Sequence, residues 1–73
     1  MARINVVAEV TGTVWKIETR PGTQVGPDDV VMLVESMKME IPVLAAASGA
    51  IAEILVAEGE MVQEGQAVAV VVA

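Results

Sequence analysis

A shift of 37 positions lays residues 2–36 over residues 39–73 without a gap. Nine positions are then identical: Ile4/Ile41, Val6/Val43, Ala8/Ala45, Gly12/Gly49, Ile17/Ile54, Gly22/Gly59, Val25/Val62, Val31/Val68 and Val34/Val71. Thr11/Ser48, Val14/Ile51 and Leu33/Val70 are conservative matches. Matches come easily in a valine-rich chain, but the two aligned glycine pairs and the ungapped register argue for a true repeat. Two tandem copies predict two similar half-structures related by an approximate two-fold axis. The residues left between the copies are Met37 and Lys38.

Each copy reads as strands. Ile4, Val6 and Ala8 share one face by period-two alternation, as do Ile41, Val43 and Ala45. The expected first strands are Ile4–Glu9 and Glu40–Ala45. Gly12 and Gly49 mark a bend or a close backbone approach. Second strands follow at Thr13–Thr19 and Ala50–Val56. Arg20-Pro21-Gly22-Thr23 has the proline and glycine of a type II turn, and Ala57–Glu60 keeps the glycine. Short extended pieces are expected at Thr23–Val25 and Glu60–Val62, and last strands at Val30–Ser36 and Ala67–Val72. Ala45–Ile54 has alanine propensity for helix, but Gly49 interrupts it and its repeat partner Ala8–Ile17 is rich in Val and Thr. The predicted fold is therefore all-β. It is a flattened barrel, or barrel-sandwich hybrid, of two four-stranded antiparallel sheets, with the two halves facing each other across a valine core. The chain, residues 1–73, reads as one domain. Beginning at Met1 and ending at the repeat boundary, it reads as a complete small protein, with a domain cut from a multidomain enzyme as the alternative.

Composition removes most catalytic classes. There is no cysteine and no histidine, so no thiolate metal site, no Ser-His-acid triad and no ordinary near-neutral general base can be built. The expectation is a protein that is not itself an enzyme. The net charge of −6, the lack of a basic stripe and a single aromatic residue, Trp15, speak against nucleic acid. No apolar run is long enough to cross a bilayer, and the N-terminus alternates rather than forming a signal-peptide core. A soluble, cytoplasmic protein is expected.

The stretch Glu35-Ser36-Met37-Lys38-Met39-Glu40 places one of only four basic residues at the junction of the halves. The strand ending at Ser36 runs into the strand beginning at Glu40 with almost nothing between, which requires a tight hairpin. Two-residue hairpins favour Asn-Gly or Gly-X, so Met37-Lys38 is poor turn chemistry. A local rule broken without structural gain marks a functional position. Alternation sends Met37 and Met39 one way, onto the end of the barrel, and Lys38 the other way into solvent. A solvated amine is protonated at neutral pH and a poor nucleophile. Lys38 therefore reads as a target for another enzyme. Trp15 stands opposite Ala52 in the repeat, so symmetry breaks there, and alternation from Val14 and Ile17 leaves its face open.

Those residues carry a resemblance. Met37-Lys38-Met39, at the centre of a symmetric β chain, resembles the modification site of biotinyl domains, the biotin carboxyl carriers of biotin-dependent carboxylases. Met39–Val43, M-E-I-P-V, is similar to small biotin/lipoyl attachment proteins. Ser36 departs from the commoner alanine. The resemblance implies that biotin protein ligase joins biotin to the Lys38 amine through an ATP-driven amide. It implies a swinging arm that shuttles carboxybiotin from biotin carboxylase to carboxyltransferase, whose acceptor is an acyl-CoA or another molecule. Met37 and Met39 would aid ligase recognition, and Glu35, Ser36 and Glu40 would shape the hairpin. The chain is too short for the inserted thumb of some carriers. A lipoyl carrier of a 2-oxo acid dehydrogenase shares the fold, but such domains typically place Asp before the lysine and Ala or Ser after it. An unmodified β interaction module is the third reading, binding through a sheet edge or the valine-rich C-terminus.

Overall fold

The computed structural model describes all 73 residues and contains eight strands and no helix. They are β1 (Arg3–Val7), β2 (Gly12–Ile17), β3 (Gln24–Val25), β4 (Val30–Ser36), β5 (Met39–Leu44), β6 (Gly49–Ile54), β7 (Met61–Val62) and β8 (Ala67–Val72). β4 and β8 have the expected bounds. β1, β2, β5 and β6 begin one residue earlier than expected and end one or two residues earlier. Their flanking residues bond elsewhere: Ala8 N donates to Gln66 O at 2.9 Å, and Ala45 N donates to Asp29 O at 2.8 Å.

Two antiparallel sheets form, with strand orders β1-β8-β6-β3 and β5-β4-β2-β7. The two four-stranded sheets are those expected, but neither sheet is built from one repeat copy alone. Each sheet takes its two central strands from one copy and its two edge strands from the other. Periodicity tells which residues face inward, but not which strands pair. The interleaving gives each half edge partners that its own strands do not supply, which ties the two copies into one core.

That core is a cluster of 15 buried residues. Fourteen of them fall into seven repeat pairs, from Val6/Val43 to Val34/Val71; only Val56, whose mate is Thr19, stands outside. Burying each such valine or isoleucine is worth about 1.5–3 kcal/mol relative to leaving it exposed. Valine's stiff χ1 makes that burial cheap in side-chain entropy on a pleated surface.

Bulges repeat as well. Val31 and Val68 are the extra residues opposite β5 and β1. Trp15 and Ala52 are the extra residues opposite β4 and β8. The bulge resolves the face of Trp15: Val14 and Ile17 both point to the core because one inserted residue shifts the alternation between them. Trp15 lies on the outer side and is 49% exposed.

The turns confirm the two-fold relation. Gly22 and Gly59 take φ of 96° and 89° in type II turns closed by Thr23 N to Arg20 O and Glu60 N to Ala57 O, both donated by the amide. Asp28 adopts φ 72° where its mate Gly65 adopts 85°, a left-handed aspartate that only its glycine partner could have announced.

The molecule measures 36 × 17 × 16 Å. Ala2 and Ala73 exchange amide hydrogen bonds of 3.1 and 3.0 Å. Under the repeat they correspond to Met39 and Ser36, which flank the junction. Residues 8–11 carry the chain from the end of β1 remote from this terminal pair to the start of β2, beside Glu35. The terminal pair and the Met37-Lys38 junction thus occupy opposite ends of the long axis.

Candidate functional site

β4 and β5 pair as Val34↔Ile41, Glu35↔Glu40 and Ser36↔Met39, leaving Met37 and Lys38 as the whole connection. Their φ values are 52° and 65°. Positive φ at both central residues is the type I′ turn, whose right-handed twist matches the strands it joins. Glycine or asparagine usually occupies it. Two residues with long side chains there cost about 1–2 kcal/mol each. The expected poor turn chemistry is therefore real. Ladder pairing of β4 and β5, and the buried Val34, Val43 and Met32 beneath, hold the backbone in this shape.

Gly12 contributes from β2. A Cβ built on it would lie 2.3 Å from the carbonyl oxygen of Glu35 and 2.8 Å from Val34 Cγ1. Only glycine lets β2 pass this close to the arm of the hairpin. The sequence pointed to a bend or close approach here; the pairing of Gly12 with Gly49 was the signal, but the hairpin arm as its target was not visible.

Lys38 is exposed. The ion pairs of the structure are Arg3–Glu53 and Lys16–Glu18, so the Lys38 ammonium is held by no carboxylate. Ser36 is half-buried, and Glu35 and Glu40 are exposed. Glu35 and Glu40 lie directly opposite each other on the outer side of the hairpin, an arrangement of like charges that is destabilising in itself.

The methionines differ from expectation. Met37 is 92% exposed and Met39 61% exposed, so neither lies down on the end of the barrel. Alternation fails because Met37 and Lys38 are turn residues, not extended ones. Both thioethers flank the lysine in solvent as adaptable apolar contacts.

No group of three or more carboxylates is arranged to hold a metal ion. The surface concavity lined by Ile17, Glu18, Thr19, Arg20 and Thr23 lies at the other end of β2 from the hairpin. The site is therefore a presented amine on a fixed backbone, not a cleft. An exposed, unpaired primary amine on a stem of four carbons can form an amide with an incoming carboxyl group. It is exposed to an enzyme that would make that bond.

A family model described as "Biotin-requiring enzyme" matches residues 2–71. The chain is 42% identical over 67 residues to the biotinylated protein TB7.3 homolog of Mycobacterium leprae, covering 92% of this chain and 94% of that protein. It is 39% identical over 62 residues to the biotin/lipoyl attachment protein of Bacillus subtilis, covering 85% of each. Among solved structures, the urea carboxylase of Kluyveromyces lactis superposes with a TM-score of 0.92 at 38% identity. The match covers 99% of this chain and 6% of that one.

Proposed function

The chain belongs to the family of biotin-requiring enzymes, and we propose that it serves there as the non-catalytic carrier, with biotin joined covalently to Lys38. The carrying observation is the geometry of Lys38: an unpaired, exposed amine at the centre of a two-residue turn whose backbone is fixed in an unfavourable conformation. The fit to biotin rests on that amine, which offers the amide nitrogen the attachment needs. Bound biotin supplies a ureido nitrogen able to hold a carboxyl group.

The protein's own part is mechanical. The β4–β5 ladder fixes where the lysine starts, and the side chain supplies reach beyond it. Tethering raises the concentration of the carried group at each partner site well above that of a free cofactor. Met37 and Met39 give the ligase two apolar contacts at either side of the amine. Glu35, Ser36 and Glu40 shape the hairpin on which it reads them. The partners of this reading are a biotin protein ligase, a biotin carboxylase and a carboxyltransferase, working in the cytoplasm on a protein bound neither to nucleic acid nor to membrane.

The test supplies the biotin-loaded protein to a biotin carboxylase with ATP and radiolabelled bicarbonate. Label enters the protein, and Lys38→Arg takes up none. Loading by a lipoate ligase, with no biotin accepted, would replace this reading by the lipoyl one. Equal behaviour of the parent and Lys38→Arg would favour an unmodified interaction module.

A further inference from the structure

The pseudo-two-fold supplies an internal control, because it gives the same backbone two outer sheet faces. On the β1-β8-β6-β3 sheet, Arg3 of edge strand β1 forms an ion pair with Glu53 of β6 across the intervening β8. Val70 of β8, paired with Glu53, is buried although it points outward, between buried Ala69 and Val71 of the core. The flanking outer positions Asn5, Ala50, Ala52 and Gln24 are small or polar, and Val7, the mate of Leu44, is the exposed apolar residue of this β1 edge.

On the β5-β4-β2-β7 sheet the same positions are filled differently. Glu40 stands where Arg3 does, and Lys16 where Glu53 does, so the charges are reversed and an equivalent strap could form. It does not. Lys16 turns to Glu18 at 4.0 Å, and Glu40 has no cationic partner. Leu33, the mate of Val70, is only half-buried between Pro42 and Lys16. Around it Trp15, Val30, Leu44 and Met61 are all exposed. Apart from Lys16 these positions are apolar, and they run into the Lys38 hairpin through Glu35 and Glu40.

Resting on the carrier reading, we infer that this outer face, centred on Trp15 and Leu33, docks the enzyme that carboxylates the group on Lys38. Charge complementarity selects the occupant. The two opposed glutamates at the hairpin edge need a cation from outside the chain. ATP and bicarbonate are anions, so a site built to bind them carries cationic groups that can meet these glutamates. A second copy of this chain, at a net charge of −6, brings the wrong sign. Tryptophan is the residue best suited to anchor such a contact, with a large apolar area and few rotamers to freeze. Its mate Ala52 offers nothing comparable.

The experiment uses the biotin-loaded protein, its loading verified by mass, and the biotin carboxylase of the same organism. Trp15 is the only tryptophan, so 5-fluorotryptophan gives one ¹⁹F resonance that reports this face alone. Titrating in the carboxylase shifts that resonance to saturation. Trp15→Ala raises KM for the carrier about tenfold with kcat little changed, as truncation of an interface anchor does. Moving the tryptophan across the two-fold, Trp15→Ala with Ala52→Trp, does not restore KM. An unmoved resonance, an unchanged KM, or rescue by the relocated tryptophan overturns the docking face. So does a resonance shifted by self-association alone, seen as a dimer in sedimentation. Failure to load biotin would instead strike at the carrier reading, and the ¹⁹F titration repeated on Lys38→Arg would still decide the face.

Discussion

The two ends of the molecule use one ladder position for opposite purposes. At one end Ala2 and Ala73 pair, and no turn of this chain runs directly from one to the other. At the other, Ser36 and Met39 pair and must be joined by Met37 and Lys38 in a left-handed turn. The terminal pair closes the sheet without any turn strain, so the fold itself does not need these side chains. Connectivity demands a two-residue turn at the junction, but Asn-Gly would meet that demand at lower cost. On the carrier reading proposed above, a lysine flanked by methionines is present for its chemistry, and the turn strain is the measure of what that chemistry costs in stability.

The largest effect expected from breaking this relation comes at the two close approaches. Gly12→Ala drives a Cβ against Glu35 O, and Gly49→Ala drives one against Val72 O, each at 2.3 Å. Both should lose about 2–3 kcal/mol in urea unfolding, the usual cost of overpacking against an unyielding neighbour. Gly12→Ala should lose more, because Glu35 leads into the closed Met37-Lys38 hairpin, whereas no two-residue turn joins β8 to its neighbour β1. Equal losses would mean that the closed hairpin adds no rigidity.

A smaller effect sharpens the comparison from the other side. Met37→Asn places in the left-handed region a residue that tolerates it, while Lys38 is retained. Stability should rise by about 1 kcal/mol in the same unfolding assay. Substitution of Ala2 or Ala73 by Asn, at the unstrained end, should give no such gain.

Much of this was legible in the sequence. The 37-residue shift, the inward valines, the type II turns and the tight hairpin over Lys38 all follow from repeat and alternation. What escaped lies where alternation stops applying. A bulge set the face of Trp15, a turn freed Met37 and Met39 from the barrel, and Asp28 adopted a glycine's backbone. The interleaved sheets also escaped, because strand exchange leaves the inward pattern of each strand unchanged. The apolar face around Trp15 needed the register, since Lys16 and Glu40 are 24 positions apart in sequence and come onto one face only through β4.

The most direct measurement is peptide-resolved mass spectrometry of the protein after exposure to a biotin protein ligase, ATP and biotin. The account predicts one biotinyl group, on Lys38 and not on Lys16, with none on Lys38→Arg. Biotin on Lys16, or none on the parent under a ligase active toward another carrier, would contradict it.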